Sequence, residues 1–204
     1  MPDDLAATRR SWHAAAELVL AGPQHRRSGT IRLRVIPGGF ATTKPPELAV
    51  DGGDLVAGDN RVAIDGRTCA QLAAALGVDV GPPADLYHDG PGVDPDEPLR
   101  YGDKAGAMLA AAFELGDAAL RRFAPGQTPV LWPEHFDLGV SVGEVNYGVS
   151  PGDGYLDEPY AYVGPWTPRE GPFWTAPFGA ARPLSQLDDV DALVAFFTEG
   201  RASV

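Results

Sequence analysis

Short strand-like runs, separated by turns rich in Gly, Pro and Asp, constrain the fold of this chain more than any other feature. Five such runs lie in the first part of the chain, at residues 30–36, 40–43, 47–50, 55–56 and 61–64. The connections of three or four residues between them suit antiparallel neighbours, because a parallel crossover needs a dozen or more residues. The region 30–65 therefore predicts an antiparallel meander.

A second series of strand-like runs follows later in the chain. They are predicted at residues 130–132, 136–142, 144–149, 160–163 and 173–175. Because side chains alternate along a strand, Phe136 and Leu138 would face one side of the sheet and His135 and Asp137 the other. Gly143, between two of these runs, predicts a tight hairpin.

Helical periodicity predicts four helices. They cover residues 5–20, 69–76, 103–123 and 190–200. The first should end at Ala21-Gly22-Pro23, while Thr68 and Asp188 are the predicted N-caps of the second and fourth. The sequence thus predicts an α+β fold in which antiparallel sheet from residues 30–65 and 130–175 packs with four helices. We take residues 1–204 as one domain, and the order of elements suggests two related halves, 1–101 and 102–204.

The charge of the chain restricts its partners. The formal net charge is −12, which repels phosphate backbones and anionic lipid, so we expect neither nucleic acid nor a membrane as a partner. Cys69 is the only cysteine and lies in an apolar helical run, which predicts an inert buried thiol. Long apolar stretches and the pattern of a secretory signal are missing from the sequence, so we expect a cytoplasmic protein.

Aromatic residues are concentrated between residues 131 and 174. Three of the four Trp and four of the six Tyr lie there among Gly and Pro turn residues. Aromatic rings with polar tips commonly line small-molecule pockets, although in a sheet they pack into the core more often than not. The predicted ligand-binding residues are Trp132, Glu144, Tyr147, Asp153, Tyr160, Tyr162, Trp166 and Trp174.

His135 and Asp137 are the candidate catalytic residues. On one strand face, residues two apart lie close enough for a carboxylate to orient an imidazole, which could then act as a general base. The alternative is a solvent-exposed strand face on which the two residues have no function. The more specific hypothesis is a cleft with His135 and Asp137 at its floor. Its walls would be Tyr160, Tyr162, Trp166 and Trp174.

Metal binding has weaker support in the sequence. Four residues are weak candidate ligands, namely His88, His135, Asp137 and Glu144. Their spacing matches no established metal signature, so we expect no stoichiometric transition metal. The sequence identifies no cofactor.

Five blocks of sequence carry a resemblance that covers nearly the whole chain. They are Gly29-Thr-Ile-Arg-Leu33, Gly39-Phe-Ala-Thr-Thr43, Leu131-Trp-Pro-Glu-His-Phe-Asp-Leu138, Tyr147-Gly-Val-Ser-Pro-Gly-Asp153 and Pro159-Tyr-Ala-Tyr-Val-Gly-Pro-Trp166. Together they resemble a family of uncharacterised proteins from high-GC bacteria. The resemblance implies a single bacterial family unit, and it implies no activity or catalytic residue.

Two classes of function follow from these features. The first is a small-molecule-binding protein, extended to an enzyme if His135 and Asp137 form an acid–base pair in an aromatic cleft. The second is a non-catalytic module whose aromatic surface mediates self-association or contact with another protein. A concave site would favour the first class, and a flat apolar patch would favour the second.

Overall fold

The computed structural model describes residues 2–84, 86–87 and 90–204. These residues fall into two compact units, which we call the first unit (residues 1–111 and 131–136) and the second unit (residues 112–130 and 137–204). Each unit is therefore built from two separate stretches of chain. The predicted halves, 1–101 and 102–204, place the division elsewhere.

The first unit begins with a continuous helical stretch in three segments. These are α1 (Pro2–Ala14), a π-helix (Ala15–Ala21) and α2 (Gly22–Ser28). The prediction that this helix ends at Ala21-Gly22-Pro23 is wrong. Pro23 lies at the start of α2 and has no backbone N–H to donate to the π-helix before it. The Leu18 carbonyl accepts a hydrogen bond from Gly81 N at 3.0 Å instead, so the helical stretch continues. The stretch ends instead at Gly29, which takes up a left-handed conformation with φ of 69°.

The sheet of the first unit is antiparallel, as predicted. Its strands are β1 (Leu33–Ile36), β2 (Gly39–Thr42), β3 (Ala49–Asp51), β4 (Asp54–Ala57), β5 (Asn60–Ala63) and β6 (Val130–Trp132). They follow the order β6-β1-β2-β3-β4-β5, and every pair with a recorded register is antiparallel. Phe40, Val50 and Leu55 are directly opposite one another on neighbouring strands and are fully buried. Trp12 of α1 packs edge-on against Phe40, with 5.6 Å between ring centroids.

A short helix follows strand β5 in the first unit. Helix α3 (Cys69–Leu76) begins at Thr68, whose side chain and that of Gln71 form a capping box. It ends at Gly77, as predicted. Cys69 is fully buried, and burial raises the pKa of its thiol to about 12, with Glu17 and Glu97 adding to the rise. The predicted inert thiol is consistent with this environment.

The second unit combines two long helices with a four-stranded antiparallel sheet. Its elements are α4 (Asp103–Phe123, from residue 112 onward), β7 (Asp137–Val142), β8 (Val145–Ser150), β9 (Tyr160–Pro165), β10 (Ala180–Pro183), a short 3₁₀ turn (Leu184–Gln186) and α5 (Val190–Ala202). The strands follow the order β7-β8-β9-β10. The α+β fold with antiparallel sheet is thus confirmed.

Three details of the second unit differ from the prediction. Residues 173–175 form no strand, and the last strand is β10, which lies beyond the predicted region 130–175. The N-cap of α5 is Asp189 rather than Asp188, because the Asp189 carboxylate accepts a hydrogen bond from Ala192 N at 2.7 Å. The sequence favoured Asp188 only by its position before the apolar periodicity.

The two faces of the second unit's sheet differ in chemistry. One face packs against the unit's helices and holds apolar residues, which we call the core face. Leu138, Val149 and Val163 are fully buried there, and Gly116 of α4 lies against Leu138 and Val149. The opposite face, which we call the outer face, carries Asp137, Gly139, Ser141, Asn146, Gly148, Tyr160 and Tyr162.

Helix α4 is continuous through Gly116. A Cβ at this position would lie 2.8 Å from Val149, so the glycine permits a close helix–sheet approach that outweighs its low helix propensity. Across the part of the chain that the structure describes, no helix has the length and apolarity needed to cross a membrane.

Candidate functional site

His135 and Asp137 do not share a strand. Residues 133–136 form a turn, Phe136 has a positive φ of 54°, and β7 begins only at Asp137. The expectation that the two side chains alternate together on one strand face is therefore wrong. The His135 side chain is 62% exposed, and its Nε2 lies 3.7 Å from the Glu134 carboxylate. An imidazole so exposed lacks the enclosed setting in which general bases are usually tuned.

Asp137 instead forms a pair with Tyr162 on the outer face. The Tyr162 hydroxyl donates a hydrogen bond to the Asp137 carboxylate. The tyrosine ring lies over two glycines, since a Cβ on Gly148 would be 2.5 Å from its Cζ and one on Gly139 would be 3.0 Å from its hydroxyl oxygen. Burial and the neighbouring Asp137 carboxylate raise the pKa of Tyr162 well above its usual range, so this hydroxyl keeps its proton.

The other polar tips on this face also have partners within the protein. The Tyr160 hydroxyl donates to Asp153 at 2.6 Å, and burial together with that carboxylate raises the pKa of Tyr160. Trp166 Nε1 donates to the Asn146 side-chain oxygen at 3.2 Å. Hydroxyl and indole groups in need of partners were a main reason to predict a pocket here. The structure shows these needs met by neighbouring residues.

The remaining predicted binding residues lie in different places. Tyr147 is 1% exposed on the core face, where its ring packs 4.6 Å from that of Phe123, centroid to centroid. Trp132 lies in β6 of the first unit, with the Arg32 guanidinium 5.8 Å from the ring centroid. Glu144 is exposed in the turn between β7 and β8 and has a positive φ of 63°.

The weak metal candidates that the structure describes, His135, Asp137 and Glu144, do not form a metal site. His88 lies outside the described residues. Among those that the structure does describe, no group of three or more His, Cys, Asp or Glu side chains is arranged to hold a metal ion.

Trp174, the last predicted binding residue, lines a cleft in the second unit. The cleft has a volume of about 620 Å³ and lies beside the edge strand β10, between residues 170–175 and α5. Its aromatic walls are Phe173, Trp174 and Phe196. The Phe173 and Trp174 rings are perpendicular with centroids 5.0 Å apart, and Phe173 lies 5.4 Å from Phe196. This volume falls within the range of about 300–1,000 Å³ that is usual for small-molecule sites.

Arg182 supplies a positive charge to the same cleft. Its guanidinium carbon lies 4.8 Å from the centroid of the Phe196 ring, and one of its nitrogens lies 3.9 Å from the Glu199 carboxylate. Sequence reasoning missed Arg182, because Ala180-Ala-Arg-Pro183 shows neither alternation nor any other strand signal. Phe196 was predicted only as an apolar residue of the last helix.

Two further titratable groups of the first unit, the half-buried His13 and the buried Glu17, were not singled out from the sequence. The His13 ring stacks on Phe136 with centroids 5.3 Å apart, and its Nε2 donates to the Pro133 carbonyl at 2.7 Å. Burial lowers the pKa of His13 to about 4. Glu17 lies in the π-helix and is 5% exposed, and burial raises the pKa of its carboxyl despite the nearby Tyr87 hydroxyl.

Comparison with known proteins gives no further assignment. The chain matches no protein-family model, no curated protein and no solved structure. The function must therefore be argued from the geometry of this chain alone.

Proposed function

We propose that the protein binds a small molecule in the cleft of the second unit. The observation that carries this proposal is the concave surface of about 620 Å³ walled by Phe173, Trp174 and Phe196. Polar side chains line it as well, among them Arg182 and Glu199. Ligand pockets commonly combine aromatic walls with polar groups that orient the ligand. The proposal keeps the predicted aromatic pocket but moves it away from His135 and Asp137.

The proposal is tested by NMR titration of ¹⁵N-labelled protein with a library of ring-containing fragments. We expect the Trp174 indole signal and the amides of residues 170–175 to shift, because these residues line the cleft. Trp174→Ala should weaken binding by about tenfold, since an aromatic contact contributes about 0.5–1.5 kcal/mol beyond its area.

Trp166→Ala is the matched control for this experiment. Trp166 is 64% exposed, bonds to Asn146 and does not line the cleft. Fragment affinity should be unchanged in this variant. Fragments that bind only around Trp166, or a library without any binder, would contradict the proposed function.

A specific observation also supports the alternative of a protein-interaction module. Tyr155, Trp166 and Phe178 are 43%, 64% and 40% exposed, which is unusual for large apolar side chains. Tyr155 and Phe178 contact each other with ring centroids 5.2 Å apart. If this aromatic surface mediates self-association, light scattering should show a concentration-dependent mass that Phe178→Ser reduces. A constant monomer mass over the accessible range would exclude self-association through it.

A further inference from the structure

The orientation of Arg182 within the cleft is fixed by stacking. Its guanidinium lies over the Phe196 ring at 4.8 Å, and Phe196 itself is 2% exposed and held in α5. A planar guanidinium packed on a buried ring loses much of its rotational freedom before any ligand arrives. Arg182 is therefore a preorganised cation rather than a freely moving surface charge.

The hydrogen-bond donors of this guanidinium are open. Within the described chain, no residue accepts a hydrogen bond from the Arg182 side chain, and the approach to Glu199 at 3.9 Å is too long for one. The two side chains are 38% and 57% exposed, so their ion pair is weak. A guanidinium carries five N–H donors in a planar fork, and a carboxylate is the partner that can accept two of them in parallel.

The aromatic walls next to this cation suit a flat ring. Phe173 and Trp174 meet at 88° between ring planes, so a planar ligand can stack on one ring and present its edge to the other. All of these residues line the same cleft as Arg182. The site therefore offers one anion-binding fork and one aromatic surface, and the carboxylates of Glu170 and Glu199 line the same cleft.

We propose that the ligand of this cleft is an aromatic carboxylate. Its carboxylate binds Arg182 through two parallel N–H donors and displaces the weakly paired Glu199, while its ring lies against Phe173 and Trp174. This inference rests on the proposed function and adds the chemical class of the ligand.

The test is a titration with three probes that share a ring and differ in charge: sodium benzoate, benzamide and benzylammonium chloride. We expect benzoate to bind with a Kd on the order of 1 mM, as suits so small a molecule. Benzamide should bind about tenfold more weakly, because it lacks the charge-assisted bonds. Benzylammonium should bind no better than benzamide.

Four variants assign the selectivity to the guanidinium. Arg182→Gln should reduce benzoate affinity to that of benzamide, and Arg182→Lys should recover only part of the loss, because an ammonium cannot form the fork. Glu199→Gln should increase benzoate affinity severalfold, since it removes a competing carboxylate. The control is Arg201→Gln in α5, which removes a second arginine stacked on a phenylalanine. Its guanidinium carbon lies 3.9 Å from the Phe123 centroid, and it does not line the cleft.

The outcomes separate this inference from the proposed function. Equal affinities for benzoate and benzamide, with shifts that remain at Trp174, would keep the cleft as a binding site and overturn the assignment of an aromatic carboxylate. Tighter binding of benzylammonium, weakened by Glu199→Gln, would also overturn it and indicate a cationic ligand. If none of the three probes shifts residues of the cleft, the inference fails. The proposed function fails with it only if the fragment library also gives no binder. Unchanged amide spectra of the variants away from the site would show that the fold is retained.

Discussion

Among single residues, His13 is the group whose environment most clearly links structure to a measurable property. Burial lowers its pKa from 6.5 to about 4, so the native state holds the ring neutral at pH 5 while the unfolded chain binds a proton there. Its contribution to stability is complete above pH 6.5 and falls as the pH drops from 6.5 towards 4. The full difference corresponds to roughly 3 kcal/mol.

This pH dependence is tested with His13→Gln, which cannot titrate but retains a donor for the Pro133 carbonyl. We expect the free energy of unfolding of the wild type to fall relative to that of the variant as the pH is lowered from 7 to 4.5. Urea unfolding at both pH values measures the free energy of unfolding of the wild type and of the variant. Titrating groups that both proteins share, including Glu17, contribute equally to the two values and cancel in the difference. A difference that does not change with pH would mean that His13 is protonated as easily in the folded chain as in the unfolded one.

Among the strands of the second unit, glycines on the outer face allow the Tyr162 ring to lie close to the strand backbone. A Cβ on Gly148 would lie 2.4 Å from the Leu138 carbonyl oxygen and 2.5 Å from Cζ of Tyr162. Gly148→Ala should therefore destabilise the protein by about 3 kcal/mol, because both neighbours are held by the sheet. Thermal or urea unfolding measures this loss.

Gly154→Ala provides the comparison for this prediction. A Cβ on Gly154 would meet no atom within 4 Å, and its φ is not in the left-handed region. Its effect on the free energy of unfolding should stay within about 0.5 kcal/mol. Similar losses in both variants would show that the cost arises from backbone flexibility rather than from the close approach of Tyr162.

The elements that could be predicted from sequence are those with a local signal. Helix α3 has its capping box at Thr68 and its stop at Gly77, and strand β6 was predicted with the correct bounds. Strand β10 was not predictable, because Ala180–Pro183 contains no alternation and is specified by pairing with β9. The turn at residues 133–136 was missed for a related reason: a positive φ at Phe136 is rare for a bulky residue and depends on the packing of its ring.

The candidate site was predictable only in part. Trp174 was expected to line a pocket from the density of aromatic residues around it, and it does line the cleft. Arg182 and Phe196 reach the same cleft from β10 and α5, and no local pattern of sequence connects them with Trp174. The pairing of Asp137 with Tyr162 depends on strand register, which places Gly148 opposite Tyr162, so it too required the structure.

For the whole molecule, the excess of negative charge has a thermodynamic consequence. A net charge of −12 makes the compact state repel itself, whereas the unfolded chain spreads the same charges further apart. Added salt screens this repulsion, with a Debye length of about 10 Å at 0.1 M. We therefore expect the midpoint of thermal unfolding at pH 7.5 to rise between 0.02 M and 0.2 M NaCl.

The salt effect should become smaller at pH 5, closer to the pI of 4.6, because the net charge decreases there. Differential scanning calorimetry at both pH values makes the comparison. A midpoint that falls with salt at pH 7.5 would show that favourable ion pairs, such as that of Arg61 with Asp51 and Asp54, outweigh the general repulsion.

The first unit combines residues 1–111 with residues 131–136, and this affects how the chain folds during its synthesis. Residues 131–136, which include Leu131 of strand β6 and Phe136, leave the ribosome only after residues 112–130, which belong to the second unit. At about 5–20 residues per second, the nascent chain spends a second or more without them. During that interval Leu33 lacks its partner Leu131, and His13 lacks the ring on which it stacks. Translation therefore delays completion of the first unit until part of the second has already been synthesised.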